Sequence, residues 1–202
     1  ELYDKLVQNR TQQAKALGFD TFVELGALRR RRNCYTPAQA AAFREQVVRD
    51  LVPLTLKLKE RQAKRIGVED FKFHDNALKF KDGSATPQGT PEEIMAAGKK
   101  MYEELSPETA EFITMMFEND LFDVLAKEGK APGGYCTGLE DYGYPFIFSN
   151  FNGTSGDVDV LTHEAGHAFA DYMANKVVDV HALRCPTMEG AETHSMSMEF
   201  LT

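Results

Sequence analysis

Apolar positions recur at helical spacing through most of the chain up to about residue 130, then give way to a stretch rich in glycine and aromatics. Leu2, Leu6, Ala14 and Leu17 stand among Lys, Gln and Arg, which predicts a helix stopped by Gly18. Asp20 is placed to cap a short helix carrying Phe22, Val23, Leu25 and Leu28. Thr36-Pro37 has the form of an N-cap followed by proline at the first helical position. Behind it Ala40, Phe43, Val47, Leu51, Leu54 and Leu58 form a stripe of more than five turns. Pro53 lies inside that stripe and predicts a kink, and Gly67 predicts its end. Between residues 68 and 91, Phe71, Phe73, Leu78 and Phe80 alternate loosely with polar residues around the turn Lys81-Asp82-Gly83. This reads as a loop, with room for one short strand, and its His74 is assigned no role. Thr90-Pro91-Glu92-Glu93 and Ser106-Pro107-Glu108 are two more helix starts, with acidic residues where the helix dipole favours them. The first helix carries Ile94, Ala97, Met101, Tyr102 and Leu105. The second carries Phe112, Met115, Met116, Leu121, Phe122 and Leu125 and closes at Gly129. Residues 1–130 are thus expected to be a helical scaffold.

From Ala131 the pattern changes. Pro132-Gly133-Gly134-Tyr135-Cys136 and Tyr142-Gly143-Tyr144-Pro145 lead into Phe146-Ile147-Phe148-Ser149-Asn150-Phe151, whose composition is that of a short strand, with Asn152-Gly153 as its turn. This strand is expected at a sheet edge, where unpaired N–H and C=O groups can receive an extended peptide. Thr154-Ser155-Gly156-Asp157 supplies N-cap residues for a helix to about Asn175, with Val160, Leu161, Ala165, Ala168, Phe169 and Met173 on its buried side. A connector containing His181 follows, and Pro186-Thr187 opens a last helix with Met196, Met198, Phe200 and Leu201. The expected fold is mainly α with a small β-sheet. Residues 131–202 would be a small β element plus two helices, in one continuous piece with the scaffold.

The chemistry is concentrated in His163-Glu164-Ala165-Gly166-His167. Residues four apart share one helix face, so both imidazoles can reach one metal ion. Two His, a third ligand and a bound water make a catalytic zinc site, with the intervening Glu164 as the base that takes the water's proton. Gly166 costs a helix about 1 kcal/mol against Ala, which is easier to explain if a backbone or a substrate passes close by. Glu189, Glu192, Glu199 and the nitrogen donor His194 are all candidates for the third ligand. Glu192 is favoured. Glu199, two turns further along the same face, would suit a partner for an imidazole N–H, and His194 would line the site. Asp171, one turn beyond His167, is a further group that could orient a ligand.

The net charge of −8 argues against nucleic acid or an anionic membrane as partner, and Arg29 to Arg32 read as a solvated helix end. No apolar run approaches a membrane span, and no signal-peptide pattern is present. Cys34, Cys136 and Cys185 are odd in number and widely spaced, which points to free thiols in a reducing, cytoplasmic setting.

The runs Pro145–Thr154, Asp157-Val158, His163–Phe169 and Glu192–Phe200, with Tyr102–Pro107 and Gly133–Cys136, resemble the oligoendopeptidase F branch of the M3 zinc metallopeptidases, relatives of thimet oligopeptidase and neurolysin. The resemblance implies a zincin-like helical bowl around a channel. It implies one Zn²⁺ held by His163, His167 and Glu192, with Glu164 as base, in an endopeptidase for short unstructured peptides. It also implies that Phe146, Ile147, Phe148, Ser149, Asn150 and Gly153 pair with the substrate backbone. In that family the catalytic region continues past the last helix and carries further His and Tyr side chains, whereas this chain stops at Thr202. The chain is therefore expected to be an internal fragment that holds zinc but hydrolyses poorly. Loss of one oxyanion donor costs on the order of 10²–10³ in rate. Self-association through surface left uncovered is expected as well. The rival expectation is a catalytically incompetent helical binding module, its metal absent or structural, with His194 or Cys185 as a fourth donor. A third reading, an amidase for non-peptide substrates, is opposed only by the strand.

Overall fold

The computed structural model describes residues 1–202, which divide into two compact units, Glu1–Asp82 and Gly83–Thr202. The shift in composition at Ala131 is not where the units divide.

The first unit is helical: α1 (Leu2–Ala16), α2 (Phe22–Arg29), α3 (Pro37–Gln46) and α4 (Val52–Ile66). α2 is capped by Thr21 rather than Asp20, with no side-chain cap bond. Thr36 opens α3 through a reciprocal pair: the Gln39 N–H donates to Thr36 Oγ1 at 3.2 Å, and the Thr36 N–H donates to Gln39 Oε1 at 2.8 Å. The kink expected at Pro53 takes the form of a π-helical turn, Val47–Leu51, just before it. Proline has no N–H to give the carbonyl four residues back, and the chain widens there, with the Val52 N–H reaching Val47 O instead. Gly67 ends α4 with φ +77°, a left-handed position that suits glycine. Phe43, Leu51, Leu54 and Leu58 of the predicted stripe are each more than half exposed, so this helix is amphipathic without a cover of its own. The loop after it holds a 3₁₀ turn, Phe73–Ala77. Buried Gln62 of α4 fastens that turn by donating to the carbonyls of Asp75, Asn76 and Leu78.

The second unit begins with α5 (Pro91–Leu105) and α6 (Pro107–Glu118), both opened by capping boxes, Thr90 with Glu93 and Ser106 with Thr109. α6 does not continue to Leu125 as its apolar spacing suggested. Asp120 turns the chain with φ +52°, and Phe122–Leu125 forms β1. Short apolar runs fit both the helical and the strand period, and here pairing with a neighbouring strand decides. β2 (Tyr135–Leu139) and β3 (Tyr144–Phe151) complete a three-stranded sheet of order β1-β3-β2. β1 runs parallel to β3, with Phe122 opposite Ile147; β2 runs antiparallel to it, with Cys136 opposite Ile147.

The strand expected at the edge is therefore the central one. Phe146, Ile147 and Phe148 all lie opposite residues of β2, and Ile147 and Phe148 lie opposite residues of β1 as well. Ser149 is buried. Asn150 spends its side-chain amide on the carbonyls of Ala131 and Gly133, both at 2.9 Å. The Gly153 N–H is taken by Asp157. The outer strands of the sheet, each with one unpaired edge, are β1 and β2. Pairing order depends on contacts between distant segments, which an alternation pattern does not carry.

Two helices finish the unit, α7 (Gly156–Val177) and α8 (Met188–Leu201). Tyr102, Phe112, Ile113, Met116, Ile147, Ala165, Ala168 and Met198 form the core, so α5 and α6 pack with the sheet and α7. None of the helices is long and apolar enough to cross a membrane. One core atom is unsatisfied: the Tyr102 hydroxyl is buried without a hydrogen-bond partner, and burial raises its pKa. Tyr102→Phe should therefore raise stability by about 1 kcal/mol in chemical denaturation, since it removes a desolvated polar group and little packing. A loss of stability of that size would show that the hydroxyl has a partner.

Candidate metal centre and active site

α7 is fixed at its start by Asp157. This buried carboxylate accepts from the Asn152 N–H at 2.9 Å and the Gly153 N–H at 2.8 Å, tying the turn after β3 to the first turn of the helix. Two turns on, His163 and His167 project from one face, their ring centroids 4.9 Å apart and their planes at 82°. α8 crosses this face and brings the third donor. Glu192 Oε2 lies 3.2 Å from His163 Nε2 and 3.7 Å from His167 Nε2, and ligand atoms of the three residues all fall within 4.8 Å of one another. Donors about 2.1 Å from a tetrahedral ion stand roughly 3.4 Å apart, so the set fits zinc in spacing as well as in chemistry.

His163 is held from both sides by α8. Glu192 faces its Nε2, while Glu199, two turns further along, meets its Nδ1 with Oε1. A carboxylate on Nδ1 fixes that nitrogen as the proton-bearing one and leaves Nε2 free to ligate. At His167 burial comes first in lowering the pKa, with smaller contributions from His163 and His194, against an opposing one from Glu192. A neutral ring is the ligating form. His194 is near enough to act on His167 electrostatically, yet it is not among the grouped donors. Neither Cys136 nor Cys185 joins them, so the closed four-ligand arrangement with a thiolate is not formed. Burial pushes the Cys136 thiol up to about 12, which keeps it protonated.

Glu164 lies on the neighbouring face of α7, turned toward the sheet. It is buried, and that burial is the main cause raising its pKa; Glu192 adds to the effect, while His163 and the Cys136 backbone N–H oppose it. The edge strand starts beside it: Glu164 Oε1 lies 3.8 Å from where a Cβ on Gly134 would stand. The same Cβ would meet Val160 Cγ1 at 2.9 Å, so a side chain at residue 134 would push strand and helix apart. Gly134 was not singled out for this place by its sequence pattern. Gly166 is explained by the backbone of α8. A Cβ there would come within 2.7 Å of Ser195 Cα and 3.1 Å of the His194 carbonyl oxygen. Asp171 does not reach the metal donors. It accepts from Asn175 Nδ2 at 3.4 Å, and burial, then Glu140, raises its pKa. His181 pairs with Glu140 at 2.6 Å, and His74 stays beside Asp75, so neither takes part.

The model of peptidase family M3 matches residues 1–202 in full. The chain belongs to peptidase family M3. Among solved structures, this M3 chain resembles a Bacillus anthracis str. Ames protein assigned as an oligoendopeptidase F, with 54% identity and a TM-score of 0.94, over 98% of this chain and 36% of that one. A structure of PZ peptidase A with an inhibitor matches at 55% identity and TM-score 0.94, over 98% of this chain and 35% of that one. A peptidase from Chlamydophila abortus shares the fold, at 21% identity and TM-score 0.68, over 96% of this chain and 31% of that one. No match was found among curated proteins. The chain thus spans about a third of the length of the solved structures it matches.

Proposed function

We propose that this M3 chain is the metal-holding part of a zinc-dependent endopeptidase for short unstructured peptides. The observation that carries the reading is the convergence of His163 Nε2, His167 Nε2 and Glu192 Oε2 from two helices, with a buried Glu164 alongside. Zinc bound there would supply Lewis acidity, polarising the scissile carbonyl and acidifying the attacking water. Glu164 takes a proton from that water and passes it to the leaving amine. Burial suits it to this work, because a carboxyl with a raised pKa is a stronger base when ionised. Glu199 holds the His163 ring in the ligating orientation.

The peptide is placed by the outer edge of β2. Only β3 pairs with this strand, so its other edge can take an extended backbone as an added strand. Gly134 and Cys136 bring that edge beside the Glu164 carboxylate, which would set a scissile bond near the base. In the complete enzyme, cleavage of a quenched fluorescent peptide should stop on treatment with a chelator and return with added zinc. Undiminished cleavage after metal removal would overturn the reading. Nothing in the site favours the binding-module alternative over this one.

A further inference from the structure

We propose that Ser195 is a positioning residue for the third metal ligand: its hydroxyl holds the Glu192 carboxylate in the ligating pose. The inference rests on the zinc reading above and adds a residue to it. Ser195 is fully buried on α8, so no water can receive its proton. Two acceptors lie at the same distance, 3.1 Å, the Glu192 carbonyl oxygen and Glu192 Oε2. The second is the oxygen that faces both His Nε2 atoms. A hydroxyl has one proton to give, and an ionised carboxylate is the stronger acceptor.

The position of Ser195 adds a mechanical reason. Its Cα lies against Gly166, where the backbones of α7 and α8 come into close contact, and so sits at a tightly packed point of α8. The Glu192 side chain is half exposed, so packing alone does not fix its rotamer. Ser195 therefore ties a half-exposed ligand to a buried crossing. Serines in helices also donate to their own backbone without further purpose. Ser197 is the built-in comparison: it lies on the same helix, its hydroxyl donates to the Thr193 carbonyl at 2.6 Å, and it is exposed.

The test measures the zinc dissociation constant by competition with a chromogenic chelator, alongside thermal unfolding of the metal-free protein. Ser195→Ala should weaken zinc binding about tenfold or more, the range seen when such orienting partners are lost. Ser197→Ala should leave zinc binding unchanged. Ser195→Cys keeps the shape of the side chain with a somewhat larger atom and a poor donor, and it should also lose affinity. Parent-like zinc affinity in a folded Ser195→Ala or Ser195→Cys protein would overturn the inference and leave the metal centre standing. Absence of zinc binding by the parent would overturn both.

Discussion

Replacing Glu164 with Gln should abolish peptide cleavage by the complete enzyme while leaving its zinc in place. The substitution keeps size and shape and removes only the ability to take a proton. Glu164 is outside the group of metal donors, so the ion's ligands are untouched. A glutamine carbonyl can still accept from the Cys136 N–H, so the wall between α7 and β2 is kept. General acid–base catalysis contributes about 10²–10⁴ in rate, and the loss in kcat should fall in that range with zinc content unchanged. Parallel measurements of metal content and peptide turnover check this. Turnover within a few-fold of the parent would remove Glu164 from the role of base.

Gly166→Ala carries the second large effect, and it sets two magnitudes against each other. Alanine favours a helix over glycine by about 1 kcal/mol. Against that, the added methyl group would meet Ser195 Cα at 2.7 Å and Met198 Cβ at 2.9 Å, distances at which α8 has to move. Overpacking of this kind costs about 1–3 kcal/mol, and the atoms met include backbone, which cannot swing aside. The steric cost should win, with a net loss near 1 kcal/mol in denaturant unfolding. Because α8 carries both Glu192 and Glu199, its shift also disturbs two contacts to His163. Zinc affinity should fall by more than tenfold, which a chelator competition reads directly. An alanine variant as stable as the parent, with parent-like zinc affinity, would show that the helices are not held at this spacing.

The parts of the site legible in sequence are those set by helix geometry. His163 and His167 share a face because the α-helical period places them there, whatever surrounds the helix. Glu192 was already favoured among several acidic candidates, and the crossing of α8 over α7 brings its carboxylate to the two imidazoles. The helix starts at Thr36, Thr90 and Ser106 were legible because a cap is a local hydrogen-bonding device. The sheet was not. Phe122–Leu125 has a composition that suits helix or strand, and its partner lies 25 residues on in β3, Phe122 opposite Ile147. The order β1-β3-β2 follows from pairings between distant segments, which moves the free edge from Phe146–Gly153 to Tyr135–Leu139. The apolar stripe of α3 and α4 was read correctly as helix. Its burial was not legible, because burial depends on what covers it.

The central claim is that one zinc ion is held by two imidazole nitrogens from α7 and one carboxylate from α8. X-ray absorption at the zinc edge, on protein loaded with one equivalent of metal, tests it most directly. The account predicts scattering from nitrogen and oxygen only, at about 2.0–2.2 Å, with the signature of two imidazoles falling to that of one in His163→Ala. Sulfur scattering near 2.3 Å, or a protein that retains no zinc at one equivalent, would contradict it.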